Sequence, residues 1–447
     1  MAIRWPSALA VLLGIIPVAI WPSGSTVWLW LLLVFATIGL DVLLAPSPMS
    51  LRLQRESVGA STTLDQGGAG GNVQVSVRLG EQTSTSLLVS NHGRRRLRGV
   101  LRDAWVPSAG ASGNRHPLNL PGGERRRFVT ALQPTRRGDR HSERVTIASY
   151  GPLGLAARQR SRPAPATVRA LPPFRSRKHL PSRLARLRQL DGRSAVRTRG
   201  QGTEFDSLRD YVEGDDVRSI DWRATARRQS VVVRTWQPER DRRVIIVLDT
   251  SRTSAGRVGD EPRLDAAMDA SLLLAALASR AGDRIDLIAG DRKIRGRVRP
   301  DPASPTLLSS IVTVLAPIDP VLVEADWSML AGAINSTSRR RALVVLLTSL
   351  DPAAVEEGLL PVLGSLTAYH QVVLASVTDP ALGEIAGDVS TLSAVYGAAA
   401  AERTISLRDR TAAAMERLGV QVLDAEPEQL PVVLADHYLA LKARGRL

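Results

Sequence analysis

The sequence predicts a multidomain protein with two N-terminal transmembrane helices, a small all-β sandwich-like domain and a C-terminal α/β domain with a doubly wound sheet. Three observations support this. The first 48 residues hold two apolar runs, residues 49–155 hold short alternating strands, and strands alternate with helices over 243–447. A length of 447 residues, about three typical domains of ~150 residues, agrees with several domains.

The composition excludes several kinds of site. The chain has no cysteine, which excludes disulfides, thiolate metal sites, iron–sulfur clusters and cysteine nucleophiles. The formal net charge is +16, and all but three of the 59 basic residues are arginines. This arginine excess is typical of GC-rich bacterial codon use. It therefore does not indicate a nucleic-acid partner, and we expect none.

The apolar runs span Trp5–Trp21 and Val27–Ala45, and a polar turn separates them. Their lengths are close to the ~20 residues that cross a bilayer. A cleaved signal peptide is the alternative. It agrees less well, because the second run follows at once without a small-residue cleavage site. Residues 1–48 are therefore predicted as a transmembrane hairpin, with Asp41 near the end of the second helix, where it can reach the lipid headgroups.

The flanking charges predict the orientation. Arg4 precedes the first helix, Arg52 and Arg55 follow the second, and the turn carries no charge. The positive-inside rule then places both termini in the cytoplasm. We expect a multi-pass protein of the bacterial inner (cytoplasmic) membrane, in contact with the lipid bilayer, whose bulk faces the cytoplasm.

Residues 49–155 are predicted as the β domain, because Val73–Leu79 alternates strictly between apolar and polar residues. Residues 156–200 are predicted as an Arg/Pro-rich connector that is mostly extended. Two interpretations of this connector stay open: a solvated linker, or a segment that docks on anionic headgroups.

The α/β domain is predicted over 243–447. The apolar run Arg243–Leu248 ends at Asp249, as a buried parallel strand with a polar carboxyl end does. Further strands are expected over 284–289, 342–347, 371–377 and 419–423. Ligands of such sheets bind at the carboxyl ends of the strands. The candidate site is therefore Asp249–Ser254 together with Thr348–Asp351.

Asp249, Ser251 and Thr253 present oxygens that can converge on one hard cation, Mg²⁺ or Mn²⁺. The pattern resembles the metal-ion-dependent adhesion site of the von Willebrand factor A-type fold, whose loop reads Asp-x-Ser-x-Ser and whose later loops add a Thr and an Asp. The resemblance implies a degenerate site. No Thr stands within 324–326, and Ser349 occupies the position of the later Asp.

A second resemblance rests on residues 202–222, GTEFDSLRDYVEGDDVRSIDW, followed by Ala224, Ala226 and Arg227. They resemble the hallmark of the bacterial family called "domain of unknown function fifty-eight". The resemblance implies two membrane helices, a β domain and a von Willebrand A-like domain. Family genes tend to lie beside those of MoxR-type AAA+ ATPases and transglutaminase-like membrane proteins, which implies an adaptor that works with such an ATPase.

The hallmark segment, residues 201–242, alternates acidic and basic residues. Arginine–carboxylate pairs are geometrically specific, so the segment is either an internal ion-pair lattice or a partner-docking surface. The candidate residues are Glu204, Arg209, Asp215, Asp216, Arg218, Asp221, Trp222 and Arg227.

The sequence contains no phosphate-binding loop, no Gly-x-Ser-x-Gly elbow and no His-Glu-x-x-His zinc motif. We therefore expect a non-enzymatic, membrane-anchored adaptor or scaffold that assembles or matures membrane or envelope complexes. The alternatives are a divalent-metal-dependent ligand-binding receptor and a Mg²⁺-dependent hydrolase that uses Asp249.

Overall fold

The structure, a computed structural model, describes residues 2–56, 62–64, 73–197, 204–237, 242–300 and 307–445. The chain divides into two units, Met1–Leu171 and Pro172–Leu447. Each unit is described by itself.

The first unit begins with three apolar helices: α1 (Trp5–Leu12), α2 (Ile15–Ile20) and α3 (Gly24–Leu44). The second predicted membrane helix is confirmed as a helix long and apolar enough to span a bilayer. The first predicted membrane helix is instead divided into two shorter helices, α1 and α2, because the helix is interrupted between Leu12 and Ile15. At that break a Cβ on Gly14 would lie 2.3 Å from Trp30 Cδ1, and Trp30 Nε1 donates to the Ala10 carbonyl at 3.2 Å.

The first unit continues as a β-rich region, as predicted. Short 3₁₀ turns lie at Pro48–Ser50 and Pro107–Ala109. The strands are β1 (Ala2–Ile3), β2 (Leu51–Glu56), β3 (Thr62–Leu64), β4 (Val73–Arg78), β5 (Thr83–Asn91), β6 (Leu97–Trp105), β7 (Ala111–Ser112), β8 (Arg115–Leu120), β9 (Arg125–Leu132), β10 (Gly138–Tyr150) and β11 (Ala156–Leu171).

These strands form two sheets around an apolar core. One sheet has the order β3-β4-β11-β10-β6-β8, with β1 on β11, and the other has the order β2-β5-β9-β7. Leu87 and Val89 of the second sheet share a buried cluster with Leu101 and Ile147 of the first. The alternating apolar residues of the sequence thus meet between the two sheets.

Residues 156–200 differ from the predicted extended connector. Residues 156–171 form strand β11, which is hydrogen-bonded to β10 and β4. Residues 180–197 form helix α4. The arginines of both elements whose side chains the structure describes are exposed or half-buried, so the arginine-rich composition did not indicate regular structure.

Asp41 does not reach out towards headgroups, in contrast to our expectation. Its carboxylate is fully buried and accepts backbone N–H bonds from Leu153 (2.7 Å), Leu155 (2.8 Å) and Ala156 (2.9 Å). Arg4 donates to the Gly154 carbonyl in the same loop, at 3.1 Å. The loop between β10 and β11 is therefore bound to both ends of the apolar helices.

The second unit contains the following elements: α4 (Leu180–Arg197), β12 (Glu204–Asp210), α5 (Trp222–Arg228), β13 (Val232–Gln237), β14 (Arg243–Asp249), α6 (Arg252–Ala255), β15 (Arg257–Val258), β16 (Glu261–Pro262), α7 (Arg263–Arg280), β17 (Arg284–Gly290), β18 (Ile294–Val298), α8 (Leu307–Leu315), α9 (Trp327–Thr337), β19 (Leu343–Leu347), α10 (Pro352–Ala354), α11 (Leu360–Thr367), β20 (Gln371–Val377), α12 (Ala381–Gly387), α13 (Leu392–Arg417), β21 (Gln421–Ala425) and α14 (Leu430–Ala443). Two 3₁₀ turns, Arg175–His179 and Val217–Ser219, and a π-helical turn, Val355–Leu359, complete it.

The main sheet of this unit has the order β18-β17-β14-β19-β20-β21. All neighbouring pairs are parallel except β17 and β18. Alternate residues of β14 enter different cores: Ile246 packs with α7 and α14, and Ile245 packs with α9 and α11. The predicted α/β region with helices on both faces of its sheet is confirmed. The antiparallel edge strand β18 was not predicted.

Candidate functional site

The carboxyl end of β14 carries a closed polar network centred on Asp249, which is 1% exposed. Its Oδ1 accepts the Ser251 backbone N–H at 2.8 Å. Its Oδ2 accepts the Thr253 hydroxyl at 2.9 Å and the Thr348 hydroxyl at 2.6 Å. Ser251 Oγ and Thr253 Oγ1 are 3.2 Å apart. The structure thus brings together the three residues that the sequence predicted as one loop site.

Thr348 is the member of this network that sequence reasoning missed. The stretch 348–351 was placed on the correct edge of the sheet, but no contact between Thr348 and Asp249 was predicted. The contact follows from strand register, because Leu248 of β14 is paired with Leu347 of β19. The next residue of each strand is then Asp249 and Thr348, side by side.

Ser349 and Asp351 point to other partners. Ser349 Oγ lies 3.4 Å from Arg263 Nη1. Asp351 caps helix α10 by accepting the Ala354 N–H at 3.2 Å. A second buried carboxylate at this edge, Asp291, accepts Thr250 Oγ1 and Arg295 Nε, both at 2.7 Å. Neither aspartate hydrogen-bonds into the Asp249 network.

A cavity of about 260 Å³ opens beside this network. The network residues Asp249, Ser251, Thr253 and Thr348 form part of its wall. Arg252 and Glu324 pair across it, and Glu357 adds a further negative charge. The remaining lining residues are Ala325, Trp327, Ser349, Ala353, Ala354, Val355, Gly358 and Leu359.

The donor set falls short of a resident Mg²⁺ site. Mg²⁺ requires an almost complete octahedron of oxygens, and carboxylates supply the compensating charge. Here Asp249 is the single carboxylate of the network, and three internal donors already occupy it. The described ranges hold no cluster of three or more His, Cys, Asp or Glu side chains that could bind a metal. One carboxylate and three neutral hydroxyls do not balance a divalent charge, so the residues present do not fit this metal.

The hallmark segment forms a two-stranded ribbon, β12 with β13, and the short helix α5. Arg209 Nη2 donates to Asp215 Oδ1 at 2.6 Å, and the Val212 N–H donates to Asp215 Oδ2. Together these two hydrogen bonds hold the pKa of Asp215 below its usual range. Asp221 caps α5 through the N–H groups of Arg223 and Ala224, and also accepts Arg234 Nε at 2.8 Å.

The other hallmark candidates are not joined in this way. Asp216 caps the 3₁₀ turn by accepting the Arg218 N–H at 3.0 Å. Trp222 is 68% exposed, and the side chains of Arg218 and Arg227 make no ion pair with the described residues. The side chain of Glu204 lies outside the described residues. Within the described part of the segment, the two ion pairs are local and do not reach the α/β core.

The fold and the strand-end network define an α/β unit with a buried polar network at the carboxyl edge of a largely parallel sheet. Residues 207–418 match the profile of the family described as "Protein of unknown function DUF58". These residues therefore carry a DUF58 family domain, which includes most of the hallmark segment and the Asp249 network.

Uncharacterized proteins of Mycobacterium bovis and Mycobacterium tuberculosis are 29% identical to the chain over 207 residues. The match covers 44% of this chain and 62% of each relative. The chain therefore spans about three fifths of the length of these relatives.

Three solved structures match the chain with low TM-scores. A PapD-like domain of human CEP192 gives a TM-score of 0.18 at 12% identity, over 28% of this chain and 89% of that one. The Caenorhabditis elegans MSP family member WR4 gives 0.16 at 6% identity, over 25% and 99%. Trypsin-activated alpha-2-macroglobulin of Escherichia coli gives 0.20 at 9% identity, over 53% and 14%. At these TM-scores none of them defines the fold.

Proposed function

We propose that this protein is a membrane-anchored, cytoplasm-facing adaptor that binds a partner protein at the carboxyl edge of its α/β sheet and has no enzymatic activity of its own. The observation that carries the proposal is the state of Asp249. Its carboxylate is buried and accepts three internal hydrogen bonds at the wall of an open cavity. The site is thus a shaped surface with its polar groups already satisfied.

This arrangement speaks against the hydrolase alternative. A nucleophile or general base must present a free lone pair to the substrate or to a water molecule. Asp249 instead stabilises the loop that starts at Ser251 and joins it to Thr348 of the neighbouring strand. The same three donors speak against the metal-dependent receptor, because they occupy three of the roughly four lone pairs of the one carboxylate on which a cation would depend.

The cavity offers what a protein contact uses. The buried Trp327 closes its wall, and the Arg252–Glu324 pair and Glu357 supply charges around it. Polar and charged groups of this kind form the rim of protein–protein recognition sites. The proposed fold of this unit is von Willebrand A-like, in which the loop after the first central strand, here residues 250–256, forms the recognition face.

The proposed partner is a MoxR-type AAA+ ATPase, with a transglutaminase-like membrane protein as a further component. Both come from the family resemblance. The process would be the assembly or maturation of membrane or envelope complexes. The anchor would be a two-pass hairpin in the inner membrane, formed by α3 and the shorter α1–α2 segment.

An affinity pull-down of the full chain from gently solubilised membranes tests the proposal. The variant is Glu357→Lys, and the matched control is Glu356→Lys. Both glutamates are exposed on the same π-helical turn, but only Glu357 lines the cavity. We expect an AAA+ ATPase with wild type and Glu356→Lys, and at least about tenfold less with Glu357→Lys, since charge reversal in a contact costs roughly 1.4 kcal/mol or more.

Each preparation is run with Mg²⁺ and with a chelator. The proposal expects equal recovery in both. Recovery that depends on Mg²⁺ would favour the metal-dependent receptor. Turnover of phosphoesters that Asp249→Asn abolishes would favour the hydrolase, and absence of any ATPase from the wild-type sample would refute the adaptor.

A further inference from the structure

Arg263 lies at the carboxyl edge and makes no ion pair with the described residues. It is the first residue of α7, and its backbone N–H donates to the Gly256 carbonyl at 2.8 Å. Its guanidinium Nη1 lies 3.4 Å from Ser349 Oγ, at the outer limit of a hydrogen bond. Its Nε is buried and has no partner among the described residues.

Arg263 is half-buried, and two arginines with more deeply buried side chains are paired. Arg55 contacts Asp103 at 2.6 Å, and Arg408 contacts Asp424 at 2.8 Å. Arg263 makes no ion pair with any residue of the described ranges. A cation that is withdrawn from water without a counter-charge costs several kcal/mol, so such groups are normally neutralised.

The charged groups around Arg263 act on its pKa in opposite directions. Burial and the positive charge of Arg408 lower the pKa of Arg263, while Asp379, Asp424 and Asp351 act in the opposite direction from beyond ion-pair distance. All three carboxylates have other donors. Asp424 binds Arg408, Asp379 accepts the Ala381 N–H at 3.0 Å, and Asp351 caps α10.

We propose that Arg263 binds a carboxylate of the partner protein, an acidic side chain that docks beside Ser349 at the carboxyl edge. The inference rests on the proposed function, since it names the chemistry of that partner. Guanidinium and carboxylate are geometrically matched and form charge-assisted hydrogen bonds. Ser349 also lines the cavity, so the carboxylate lies next to the recognition site.

The charge balance selects a carboxylate over a phosphate. A carboxylate adds one negative charge beside Arg263, whereas a phosphate dianion adds two near Asp351, Asp379 and Asp424, which are themselves negative. A metal ion is disfavoured because Arg263 would repel its positive charge.

Thermal unfolding of the full chain in detergent tests the inference with N-acetylglutamate amide as the carboxylate probe. Sodium chloride at equal ionic strength and inorganic phosphate serve as comparison salts. The variants are Arg263→Gln and Arg263→Lys, and the matched control is Arg280→Gln at the exposed opposite end of α7. We expect the probe to raise the wild-type and Arg280→Gln midpoints above the chloride value. The apparent Kd should weaken at least about tenfold in Arg263→Gln and less in Arg263→Lys.

In chloride alone, Arg263→Gln should be at least as stable as wild type, because a half-buried charge without an ion pair is removed. A variant that is clearly less stable would show that Arg263 is structurally paired, and would overturn the inference. So would equal probe shifts in wild type and Arg263→Gln, or a shift with phosphate and none with the carboxylate.

The pull-down separates this inference from the adaptor proposal. If wild type and Arg263→Gln recover the ATPase equally, the adaptor stands and the carboxylate contact is refuted. If wild type recovers no ATPase, the adaptor is refuted, and the probe titration still decides whether Arg263 binds a carboxylate.

Discussion

Asp103 shows how a single buried carboxylate organises the first unit. It is 1% exposed and forms a two-bond contact with Arg55, at 2.6 and 2.7 Å. Trp105 Nε1 donates to it at 2.9 Å and Ser142 Oγ at 3.1 Å. A complete buried ion pair of this kind adds little net stability. Removal of one partner, however, leaves the other charge buried without compensation, which is strongly destabilising.

We therefore predict that Asp103→Asn destabilises the protein by about 3–5 kcal/mol, because Arg55 remains buried without a counter-charge. The control is Asp139→Asn, which breaks the more exposed Arg169–Asp139 pair and should cost about 0–1 kcal/mol. Urea unfolding of the full chain in detergent measures both. Equal losses for the two variants would contradict the prediction.

The same residue predicts a pH dependence. Burial alone would raise the pKa of Asp103, but the hydrogen bond and charge of Arg55, with Trp105 and Ser142, hold it below its usual value. A lowered pKa in the folded state gives stability that is present above the unfolded pKa and is lost as the pH falls through the folded pKa. Wild type should therefore lose stability below about pH 4, and Asp103→Asn should lose less over the same range. Parallel pH profiles would contradict this.

In the candidate site, Thr348→Val removes the 2.6 Å hydrogen bond to Asp249. We expect a loss of about 1.5–3 kcal/mol, the usual range for a hydrogen bond to a charged group. Thr348→Ser keeps the hydroxyl and should lose less than half of that. Thermal unfolding compares the two. A Val variant as stable as the Ser variant would mean that the hydroxyl does not stabilise the loop.

At the scale of elements, the buried strands were predictable and the exposed ones were not. The three central strands β14, β19 and β20 are nearly continuous apolar runs because both faces of the sheet are covered. The edge strand Ile294–Val298 and the strand Ala156–Leu171 carry arginines on their exposed faces, so their periodicity was hidden. For the site, the strand-end rule located residues 249–254 and 348–351 on one edge. The Asp249–Thr348 contact depends on register, and the unpaired state of Arg263 depends on tertiary packing.

The loop between β10 and β11 is the element that ties the β-rich region to the apolar helices. A Cβ on Gly151 would lie 2.2 Å from Asp41 Oδ1, so there is no room for a side chain at this position. We predict that Gly151→Ala weakens the three backbone bonds to Asp41 and destabilises the unit by about 1–3 kcal/mol, as overpacking does.

Hydrogen exchange of residues 153–156 measures this effect most directly, because their N–H groups are the donors. Leu153→Ala is the matched control in the same loop, since that side chain is 60% exposed and makes its bond to Asp41 through the backbone. The control should leave the exchange of Leu155 and Ala156 unchanged. Unchanged exchange in Gly151→Ala as well would show that the loop adapts without loss of the bonds.

At the scale of the whole molecule, the distribution of charge makes a cytoplasmic location the prediction to test. Arg4, Arg52 and Arg55 flank the apolar helices, and the turn at residues 22–26 carries no charge. Helix α3 has 21 residues, about 31 Å at 1.5 Å per residue, which matches the hydrocarbon core of a bilayer. Its one charged residue, Asp41, has its carboxylate satisfied by protein N–H groups.

The absence of cysteine from the sequence makes this topology directly measurable, because each introduced thiol is the single one in the chain. Ser25 lies at the start of α3, within the uncharged segment between the two apolar runs, and Ser230 lies in the hallmark segment; both are exposed. The reagent is a membrane-impermeant maleimide, added to cells whose outer barrier is opened and whose inner membrane is intact. Ser25→Cys should be labelled at once. Ser230→Cys should be labelled only after the inner membrane is permeabilised. The reverse pattern would place the DUF58 domain outside and favour the receptor. Protection of both sites in intact cells would show that the α1–α2 segment does not cross, since the turn would then remain on the cytoplasmic side.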